Sequence, residues 1–578
     1  MCAKKCVDFL LAVRREEANA LFLYQMTTPL PFIELLIPFS QAAQQQLETQ
    51  CNPTTWLTPS AYQTLQRTLL VQLTRLAAPI LQLHFAAFRL THQDLRSTEA
   101  NNAIYLAFIQ AMQQGRFATL LTDYRVLNRL MATTIETWVT TTAEFLHRLA
   151  ADQTALAEIF HQRKHLTPTL SVTSPPDVGG IKGGRPRADH VTSPLDVGGI
   201  KGGRFYPVIA LQPALSDPHH GGRTVWAVTF ASGLQLIYKP RSLAPEQFYY
   251  DLITHLATQN LPLSLQPLTM LTRPDYGWVT RALPVPCSDE AGVTRYYQRA
   301  GLVLALFYLL QGTDGHHENL IAAGEQPIMV DLETLFHPIT TWGAAAKTTP
   351  YSVMNTGLLP RQPQHFKLET SGLGGQSGQT NPWLQPMWQA INTDTMEVTK
   401  ETLPLAPAHN LPMYQGQPQS ARRYVAEIEH GFITMYYFWQ QHQPDLNAWV
   451  AHRAHELPVR FLARPTELYS ALLHQSLQPK YLHDDLTWRA NFDWLTRRAH
   501  QLPPAVQPII AAEQYALSQL DMPYFSAMGA DLQADNGVII HNCFQPSGFE
   551  AVMQRLNNLS EADLQQQLTL IRQALASE

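Results

Sequence analysis

The stretch Thr313-Asp-Gly-His-His-Glu-Asn-Leu-Ile-Ala322 decides the fold class of this chain, together with Val330-Asp-Leu-Glu333, which follows it. A strongly apolar helix is predicted before the first stretch, and a short hairpin is predicted between the two. Both stretches therefore place acidic and amide side chains directly after regular elements. Asp and Asn oxygens are ligands that Mg²⁺ accepts, and an Asp can also accept a hydroxyl proton. Asp314, Asn319 and Asp331 are thus residue types that phosphoryl transfer needs.

A lysine at the end of a predicted strand completes this pattern. Lys239 ends a strand that forms a hairpin around Ala231-Ser-Gly233, and a lysine supplies a point charge for phosphates. The predicted elements follow the order found in a two-lobed protein kinase. They are strands with a lysine, a helix, more strands, an apolar helix, a polar loop and a hairpin ending in an acid. Asp314 precedes Asn319 by five residues, as in protein kinases, although the Asp-x-His-x-x-Asn order is closer to lipid-kinase-like enzymes. Each signal alone is common, so the prediction rests on their order.

The order of elements predicts an α+β fold: a two-lobed, lipid-kinase-like fold with a helical N-terminal region and extra helices. Residues 1–165 are predicted to be the helical region, because apolar residues recur at helical spacing. Residues 166–205 are predicted to be a disordered Gly/Pro-rich insertion. Residues 206–285 are predicted to be the N-lobe. Residues 286–578 are predicted to be the C-lobe, with elimination elements and C-terminal helices, and with loops alternating with helices after the hairpin.

The insertion contains a repeat. The phrase from Val172 to Arg185 recurs from Val191 to Arg204 with one difference. Its Gly-rich character and its lysines suggest a phosphate loop, but the P-loop spacing is absent and no apolar strand precedes it. The repeat is therefore predicted to have no catalytic role. Contact between its basic residues and an acidic peptide stays an open alternative.

Composition and charge exclude several classes of protein. The net charge of -5 over 578 residues gives no basic field for nucleic acid. The five cysteines are scattered without zinc-site spacing, which is typical of free thiols in a reducing compartment. The N-terminal apolar run is too short for a signal peptide, and the longest apolar run is about half a membrane span. We therefore expect a cytoplasmic protein without nucleic-acid partners or stable membrane insertion.

Several phrases of the chain resemble the class II lanthipeptide synthetases, the LanM family. Tyr238-Lys-Pro-Arg-Ser-Leu243 resembles the family's lysine motif, and Asp217-Pro-His-His-Gly-Gly-Arg223 resembles its Asp-x-His-x-x-Gly-Arg motif. The two opening stretches resemble its active-site pair. The remaining matches are Tyr276-Gly-Trp278, Thr356-Gly-Leu-Leu-Pro360, Ser371-Gly-Leu-Gly-Gly375, Asn392-Thr-Asp394 and Asp521-Met-Pro-Tyr-Phe525. The resemblance spans about Leu57 to the C-terminus.

The resemblance implies the dehydratase domain of such a synthetase. It would use ATP and Mg²⁺ to phosphorylate Ser and Thr of a precursor peptide, and then eliminate phosphate to give dehydroalanine and dehydrobutyrine. Lys239 would contact the ATP phosphates. Asp314, as base, and His316 would lie in the catalytic loop, while Asn319 and Asp331 would bind Mg²⁺ with support from Glu333. Lys239, Asn319, Asp331 and Glu333 would thus form the cofactor site.

Four further residues receive roles from the resemblance alone. Asp217 and His219 match residues of the phosphorylation site, and Arg460 and Thr466 match the pair that drives elimination. An Arg fork suits a departing phosphate. Without the resemblance, Arg460 and Arg464 would instead be predicted to be surface ion-pair partners.

The expected partner is a precursor peptide with a leader sequence. The zinc-binding Cys, Cys and His of the family's cyclase domain are not found in the sequence up to Glu578, so a separate cyclase is expected to close the rings. Two alternatives remain open. One is a peptide kinase that stops at the phosphorylated product. The other is a non-catalytic, truncated remnant or leader-binding module.

Overall fold

The computed structural model describes residues 29–95, 101–161, 206–342, 351–361, 368–375, 379–404 and 409–576. The predicted insertion and its repeat lie outside the described residues. Helices and antiparallel sheets share the described part, which confirms the α+β class.

The described residues 29–95 and 101–161 are mostly helical. Their apolar spacing places Leu65, Leu69 and Leu73 in the core. The helices are α1 (Ile33–Glu48), α2 (Pro59–Thr91), α3 (Ala103–Ala111), α4 (Phe117–Asp123) and α5 (Arg125–His161). By length and composition α2 could cross a membrane, but 56% of its most apolar window is buried inside the protein. That burial is typical of a core helix in a folded domain.

A five-stranded antiparallel sheet follows. Its strands are β1 (Val208–Gln212), β2 (Trp226–Phe230), β3 (Gln235–Lys239), β4 (Met270–Thr272) and β5 (Gly277–Thr280), in the order β1-β2-β3-β5-β4. The helix α6 (Ala244–Thr258) connects β3 to β4. The predicted hairpins β2–β3 and β4–β5 are confirmed, because Gly233 takes a positive φ in the first turn and a Pro-Asp-Tyr-Gly turn joins the second pair.

The helix α5 lies against this sheet through a buried acid. The Asp152 carboxylate accepts hydrogen bonds from the Trp278 indole at 2.9 Å and from Arg273 at 2.6 Å. Next to it, the Phe145 ring packs 4.6 Å from Trp226 and 5.2 Å from Tyr238. Since burial of an unpaired charge is costly, these bonds fix the helix on the sheet and support β3, which carries Lys239.

The second half of the chain contains both helices and strands. Its elements up to residue 418 are α7 (Glu290–Leu309), β6 (Leu320–Ala323), β7 (Gln326–Met329), β8 (Thr380–Gln389), β9 (Glu397–Pro404), β10 (Met413–Tyr414) and β11 (Gln417–Pro418). Those that follow are α8 (Val425–Gln441), α9 (Gln443–Ala454), β12 (Val459–Arg460), α10 (Thr466–Ser476), α11 (Asp485–Arg489), α12 (Asp493–Arg497), α13 (Ile509–Ser518), β13 (Phe525–Met528), β14 (Asp531–Ala534), β15 (Ile539–Ile540), α14 (Gly548–Asn557) and α15 (Glu561–Ala576). The predicted hairpin β6–β7 is confirmed.

The expectation that only loops and helices follow this hairpin is wrong. The strands β8 and β9 pair with each other, and β12, β13, β14 and β15 form a four-stranded antiparallel sheet. The strand β12 is two residues long and pairs with Ser526 and Ala527, far along the chain. Such a strand has too few residues to show alternation, and its partner is set by tertiary packing.

Two glycines allow α7 and α8 to cross at very close range. A Cβ at Gly431 would lie 1.8 Å from the Gln298 carbonyl oxygen, and a Cβ at Gly301 would lie 2.1 Å from the Ile428 carbonyl oxygen. Both distances are far below a van der Waals contact. The crossing places the C-terminal end of α7, and hence the loop after it, against the core.

We expect Gly431→Ala to force these helices apart and to lower the free energy of unfolding by at least about 2 kcal/mol. His430→Ala changes the exposed neighbouring residue and is the matched control, with little expected effect. Urea or thermal unfolding followed by circular dichroism measures both. An unchanged midpoint for Gly431→Ala would show that the close crossing is not needed.

Candidate functional site

A lysine and two acids meet where the five-stranded sheet faces the β6–β7 hairpin. The Lys239 ammonium lies 3.1 Å from a Glu246 carboxylate oxygen in the first turn of α6 and 3.9 Å from an Asp331 carboxylate oxygen. It also donates a hydrogen bond of 2.6 Å to the Val330 carbonyl oxygen. Lys239 and Glu246 are buried, whereas 34% of the Asp331 side chain is exposed. The strand lysine and the hairpin acid therefore line one cleft.

Arg241 joins three carboxylates of this cluster. Its guanidinium lies 2.6 Å from Glu246, 2.7 Å from Asp331 and 2.9 Å from Glu333. Burial opposes the charge on Arg241, but the three carboxylates raise its pKa well above the ordinary value. The pKa of Glu246 is lowered despite its burial, because Arg241 and Lys239 lie beside it. Arg241 thus holds the acids of both sides of the cleft together.

The loop from Thr313 to Asn319 carries the predicted catalytic residues in a constrained backbone. Asp314 has a positive φ of 63°, which is uncommon for a residue with a Cβ and often marks a functional site. Its carbonyl oxygen accepts a hydrogen bond of 2.9 Å from the Asn319 amide nitrogen, which also lies 3.1 Å from His316 Nε2. The Asp314 carboxylate lies 3.7 Å from the same ring nitrogen. Asp314, His316 and Asn319 therefore form one contacting group.

Two other segments hold this loop. Gly315 donates a backbone hydrogen bond of 2.8 Å to Thr356, and a Cβ on Gly315 would lie 2.7 Å from that oxygen. His316 forms a bridge with Ser371, the first residue of the glycine-rich segment. Residues 376–378, which follow Gly375, lie outside the described part of the structure. The described portion packs directly on the loop.

The two aspartates of the cleft hold protons more readily than usual. Burial raises the pKa of Asp331, Glu333 adds to the rise, and Lys239 and Arg241 oppose it. Burial likewise raises the pKa of Asp314, with Asp331 adding to it and His316 and Arg460 opposing it. Carboxylates that crowd together favour binding of a cation between them. The cleft therefore concentrates negative charge where a metal would relieve it.

Arg460 reaches the same cluster from the four-stranded sheet. Its guanidinium pairs with Glu333, and its backbone nitrogen donates a hydrogen bond of 2.7 Å to the Glu333 carbonyl oxygen. The guanidinium also lies over the Tyr524 ring, 5.2 Å from its centroid. Burial would raise the pKa of Glu333, but Arg460 and Arg241 lower it well below its usual range. A buried, ionised carboxylate thus joins the two arginines.

His219 lies on the other side of Arg460. Its Nδ1 lies 2.9 Å from the Met522 carbonyl oxygen, so Nδ1 carries the proton, and Nε2 lies 3.4 Å from the Arg460 guanidinium. Burial, with Arg460 next, lowers the pKa of His219 to about 3. His219 is therefore a neutral acceptor at physiological pH. Asp217 is exposed, and its surroundings raise its pKa while Arg460 opposes the rise.

Thr466 and Arg464 differ from the other predicted residues. Thr466 begins α10, and no contact joins its side chain to the cluster in the described structure. Its neighbour Glu467 is close enough to Asp217 to raise that pKa. Arg464 pairs with Glu513 at 2.6 Å and is buried. Ion pairing of Arg460 and Arg464 is thus confirmed, but their predicted place on the surface is wrong, because the partners are core carboxylates from distant segments.

The structure connects most of the predicted residues but assigns no roles to them. Lys239, Asp331, Glu333, Arg460 and His219 are linked by direct contacts, and the loop group lies next to them. Three residues that the sequence did not single out complete the cluster, namely Arg241, Glu246 and Tyr524. Arg241 was detectable, because it lies two positions after the lysine. Glu246 could be found only as an acid in the first turn of the next helix.

The residues present fit a magnesium ion with a nucleotide better than a structural metal. In the described part of the chain, no group of three or more His, Cys, Asp and Glu side chains is arranged to hold a metal. Mg²⁺, however, usually takes only one or two protein carboxylates and completes its shell with water and phosphate. Asp331 offers a partly exposed carboxylate. The amide nitrogen of Asn319 makes both of its bonds described above, so its amide oxygen is the atom that could bind a metal.

A cavity of about 420 Å³ adjoins Arg460 on the side of the five-stranded sheet. Four guanidinium groups line it, those of Arg148, Arg223, Arg241 and Arg460, against the carboxylates of Asp275 and Glu333. Arg148 and Arg223 also share the Glu144 carboxylate. Each of the four guanidinium groups already pairs with at least one carboxylate, so an anion in this cavity would have to share or displace those partners.

Comparison with known proteins is consistent with these features. A curated relative from Lactococcus lactis subsp. lactis, the lacticin 481/lactococcin biosynthesis protein LcnDR2, is 26% identical over 385 residues, which is 62% of this chain. The chain spans 40% of the length of that relative. A family described as a domain of unknown function, DUF4135, matches residues 199–528, which include every site residue named above except Arg148 and Glu144. Since that match covers more than half of the chain, this protein belongs to the DUF4135 family.

Proposed function

We propose that this chain takes part in lanthipeptide maturation as a dehydratase of a precursor peptide. It would phosphorylate Ser and Thr with ATP and Mg²⁺, and then eliminate the phosphate to leave dehydroalanine or dehydrobutyrine. The relative is by name a protein of lacticin 481 biosynthesis, which supports a peptide as the substrate. A leader sequence would guide the peptide, a separate cyclase would act on the product, and the reaction would take place in the cytoplasm.

The observation that carries this proposal is the meeting of Lys239 with Asp331 at 3.9 Å across the cleft. Protein kinases hold phosphates and Mg²⁺ with four residues. A lysine on the third strand pairs with a glutamate of the next helix, and both face a hairpin Asp and a loop Asn. Lys239, Glu246, Asp331 and Asn319 supply all four residues. We extend this to a lipid-kinase-like arrangement, because His316 occupies the loop between Asp314 and Asn319.

Each residue has a task that its environment suits. Bound MgATP would supply the phosphoryl group and offset the charge of the carboxylates. Lys239 would hold phosphate oxygens, and Asp331 and Asn319 would hold the metal. Asp314, whose raised pKa follows from burial, would orient the peptide hydroxyl and accept its proton. Arg241 now bonds to Asp331, so a metal would have to share or replace that contact.

The position of Arg460 favours a dehydratase over a kinase that stops at the phosphopeptide. Arg460 contacts Glu333, and its charge opposes the rise in the pKa of Asp314 that burial causes. A guanidinium so close to the phosphorylation residues can neutralise a phosphate that leaves from the same cleft. In the described structure, no contact joins the Thr466 side chain to the cluster. This observation keeps the peptide kinase as a second candidate.

The direct test of this function is co-expression with the precursor peptide encoded beside the gene for this chain. Intact-mass spectrometry is expected to show loss of one water per modified Ser or Thr. Gain of phosphate without loss of water would support the peptide kinase. An unmodified peptide would support a binding module without catalysis.

Arg460→Ala is expected to make phosphopeptide accumulate, because phosphorylation continues while the departing phosphate loses its cation. The rate of elimination should fall by about a hundredfold or more, measured by mass spectrometry over time. Arg460→Lys keeps a positive charge beside Glu333 and should retain part of the elimination rate. That partial rate separates loss of the phosphate's cation from a folding defect. Arg453→Ala removes an exposed arginine over Trp449 and is the control. An untouched peptide with Arg460→Ala would contradict the division of labour.

Asp331→Asn is expected to abolish Mg²⁺-dependent phosphorylation, because the amide cannot replace the carboxylate at the metal. Elimination from a supplied phosphopeptide should weaken less. Transfer of labelled γ-phosphate to the precursor measures the first step. Asp251→Asn, at an exposed acid on α6, is the matched control. Normal phosphorylation by Asp331→Asn would remove this residue from the metal site.

A further inference from the structure

A second histidine of the Asp217–Arg223 motif is paired with a carboxylate at the Arg-lined cavity. His220 Nδ1 lies 2.8 Å from an Asp535 carboxylate oxygen in the hairpin between β14 and β15. Because a carboxylate accepts, Nδ1 carries the proton and Nε2 is left as an acceptor in the neutral ring. Histidine oriented by an acid in this way is a recurring form of general base.

The backbone around His220 is built to hold this geometry. His220, Gly221 and Gly222 all have positive φ values, and the Gly221 and Gly222 amides donate hydrogen bonds to the Asp521 carboxylate. A Cβ on Gly222 would lie 2.1 Å from the Thr137 methyl group. A positive φ at a histidine is an uncommon conformation that surrounding contacts must enforce. The turn is thus fixed from both sides.

His220 shares the cavity with the proposed phosphate-binding arginine. Both His220 and Arg460 line the cavity, and both lie against the Tyr524 ring, with centroid distances of 4.3 Å and 5.2 Å. Arg223 lines the same space and donates to the His220 carbonyl oxygen. One wall therefore offers a nitrogen acceptor beside guanidinium groups.

His219 is poorly suited to removing a proton. Its Nε2 faces the Arg460 guanidinium, and burial next to that charge lowers its pKa to about 3. A base whose conjugate acid is so unstable takes up a carbon-bound proton weakly. His220 differs from His219 in that its Nδ1 pairs with the Asp535 carboxylate instead of a carbonyl oxygen, although Arg223 and Arg460 line the same cavity.

We propose that His220, positioned by Asp535, is the base that removes the α-proton in the elimination step, with Arg460 and Arg223 receiving the phosphate in the cavity. This inference rests on the proposed dehydratase function and adds a catalytic residue to it. His220 Nε2 takes the proton from Cα of the phosphorylated residue. The C–H electron pair forms the Cα=Cβ double bond, the Cβ–O bond breaks, and phosphate leaves with the electron pair of the Cβ–O bond. The imidazolium then returns its proton to water, so that no redox change occurs.

The test uses the full chain and the co-encoded precursor, synthesised with phosphoserine at a position that the wild-type chain dehydrates. His220→Ala is expected to slow elimination by about a hundredfold or more, and to accumulate phosphopeptide when given the unmodified precursor. Added imidazole should restore part of the rate in His220→Ala. Asp535→Asn should also slow elimination, but imidazole should not restore it, because the native ring is still present.

His541→Ala is the matched control. His541 also pairs with an acid, Asp531 of β14, at 2.8 Å, but its side chain is 72% exposed. It is not among the residues that line the described cavity. Normal elimination by His220→Ala would overturn the inference while leaving the dehydratase intact. A loss that His541→Ala shares, or that imidazole does not relieve in His220→Ala, would also overturn it. Failure of the wild-type chain to dehydrate the precursor at all would instead remove the proposed function.

Discussion

The ion pairs of Glu333 with Arg241 and Arg460 are the interaction on which the site depends. Glu333 is buried, with 6% of its side chain exposed, and receives one guanidinium from the segment after β3 and another from β12. Burying a charge is costly unless it is paired and hydrogen-bonded. The sheet that carries Lys239, the loop after β7 and the four-stranded sheet are therefore bound to one another by the same carboxylate. Removal of Glu333 would take away the carboxylate that pairs with Arg460, whereas Arg241 would keep Glu246 and Asp331 as partners.

The need to pair the buried Glu333 carboxylate explains why positive and negative side chains lie so close together in the proposed site. Glu333 stays ionised between arginines, whereas burial raises the pKa of Asp331 and of Asp314, and nearby carboxylates add to the rise. Burial, with Arg460 next, lowers the pKa of His219 and keeps it neutral, and the same Arg460 helps to keep Glu333 charged. One side of the cluster thus suits a metal-bound nucleotide, and the other suits a phosphate. In the proposed dehydratase, these two sides would hold the phosphoryl group during transfer and during elimination.

The parts of the fold that could be predicted are those whose signals are local. The hairpins β2–β3, β4–β5 and β6–β7 each have glycine-containing turns, and α7 is a long apolar run. The four-stranded sheet could not be predicted, because β12 has two residues and pairs with a strand more than sixty residues later. The crossing of α7 with α8 was also hidden, since nothing near Gly301 indicates that Gly431 will face it.

The site residues also divide into those that local sequence signals indicate and those that only tertiary contacts reveal. Lys239 ends β3, Asn319 directly precedes β6 and Asp331 lies just after β7, and this fixed order along the chain indicates them. Glu246 and Tyr524 acquire their significance only through contacts made in three dimensions, and Arg464 was misplaced because its partner Glu513 belongs to another helix. The pairing of His220 with Asp535 likewise joins segments about three hundred residues apart, which no motif could reveal.

The most direct measurement of the central claim is a crystal structure of the chain with Mn²⁺ and a non-hydrolysable ATP analogue. We expect an anomalous Mn²⁺ peak bound by the Asp331 carboxylate and the Asn319 amide oxygen, with phosphate oxygens within hydrogen-bonding distance of the Lys239 ammonium. A nucleotide bound elsewhere, with Lys239 still on the Val330 carbonyl and Arg241 still on Asp331, would contradict it.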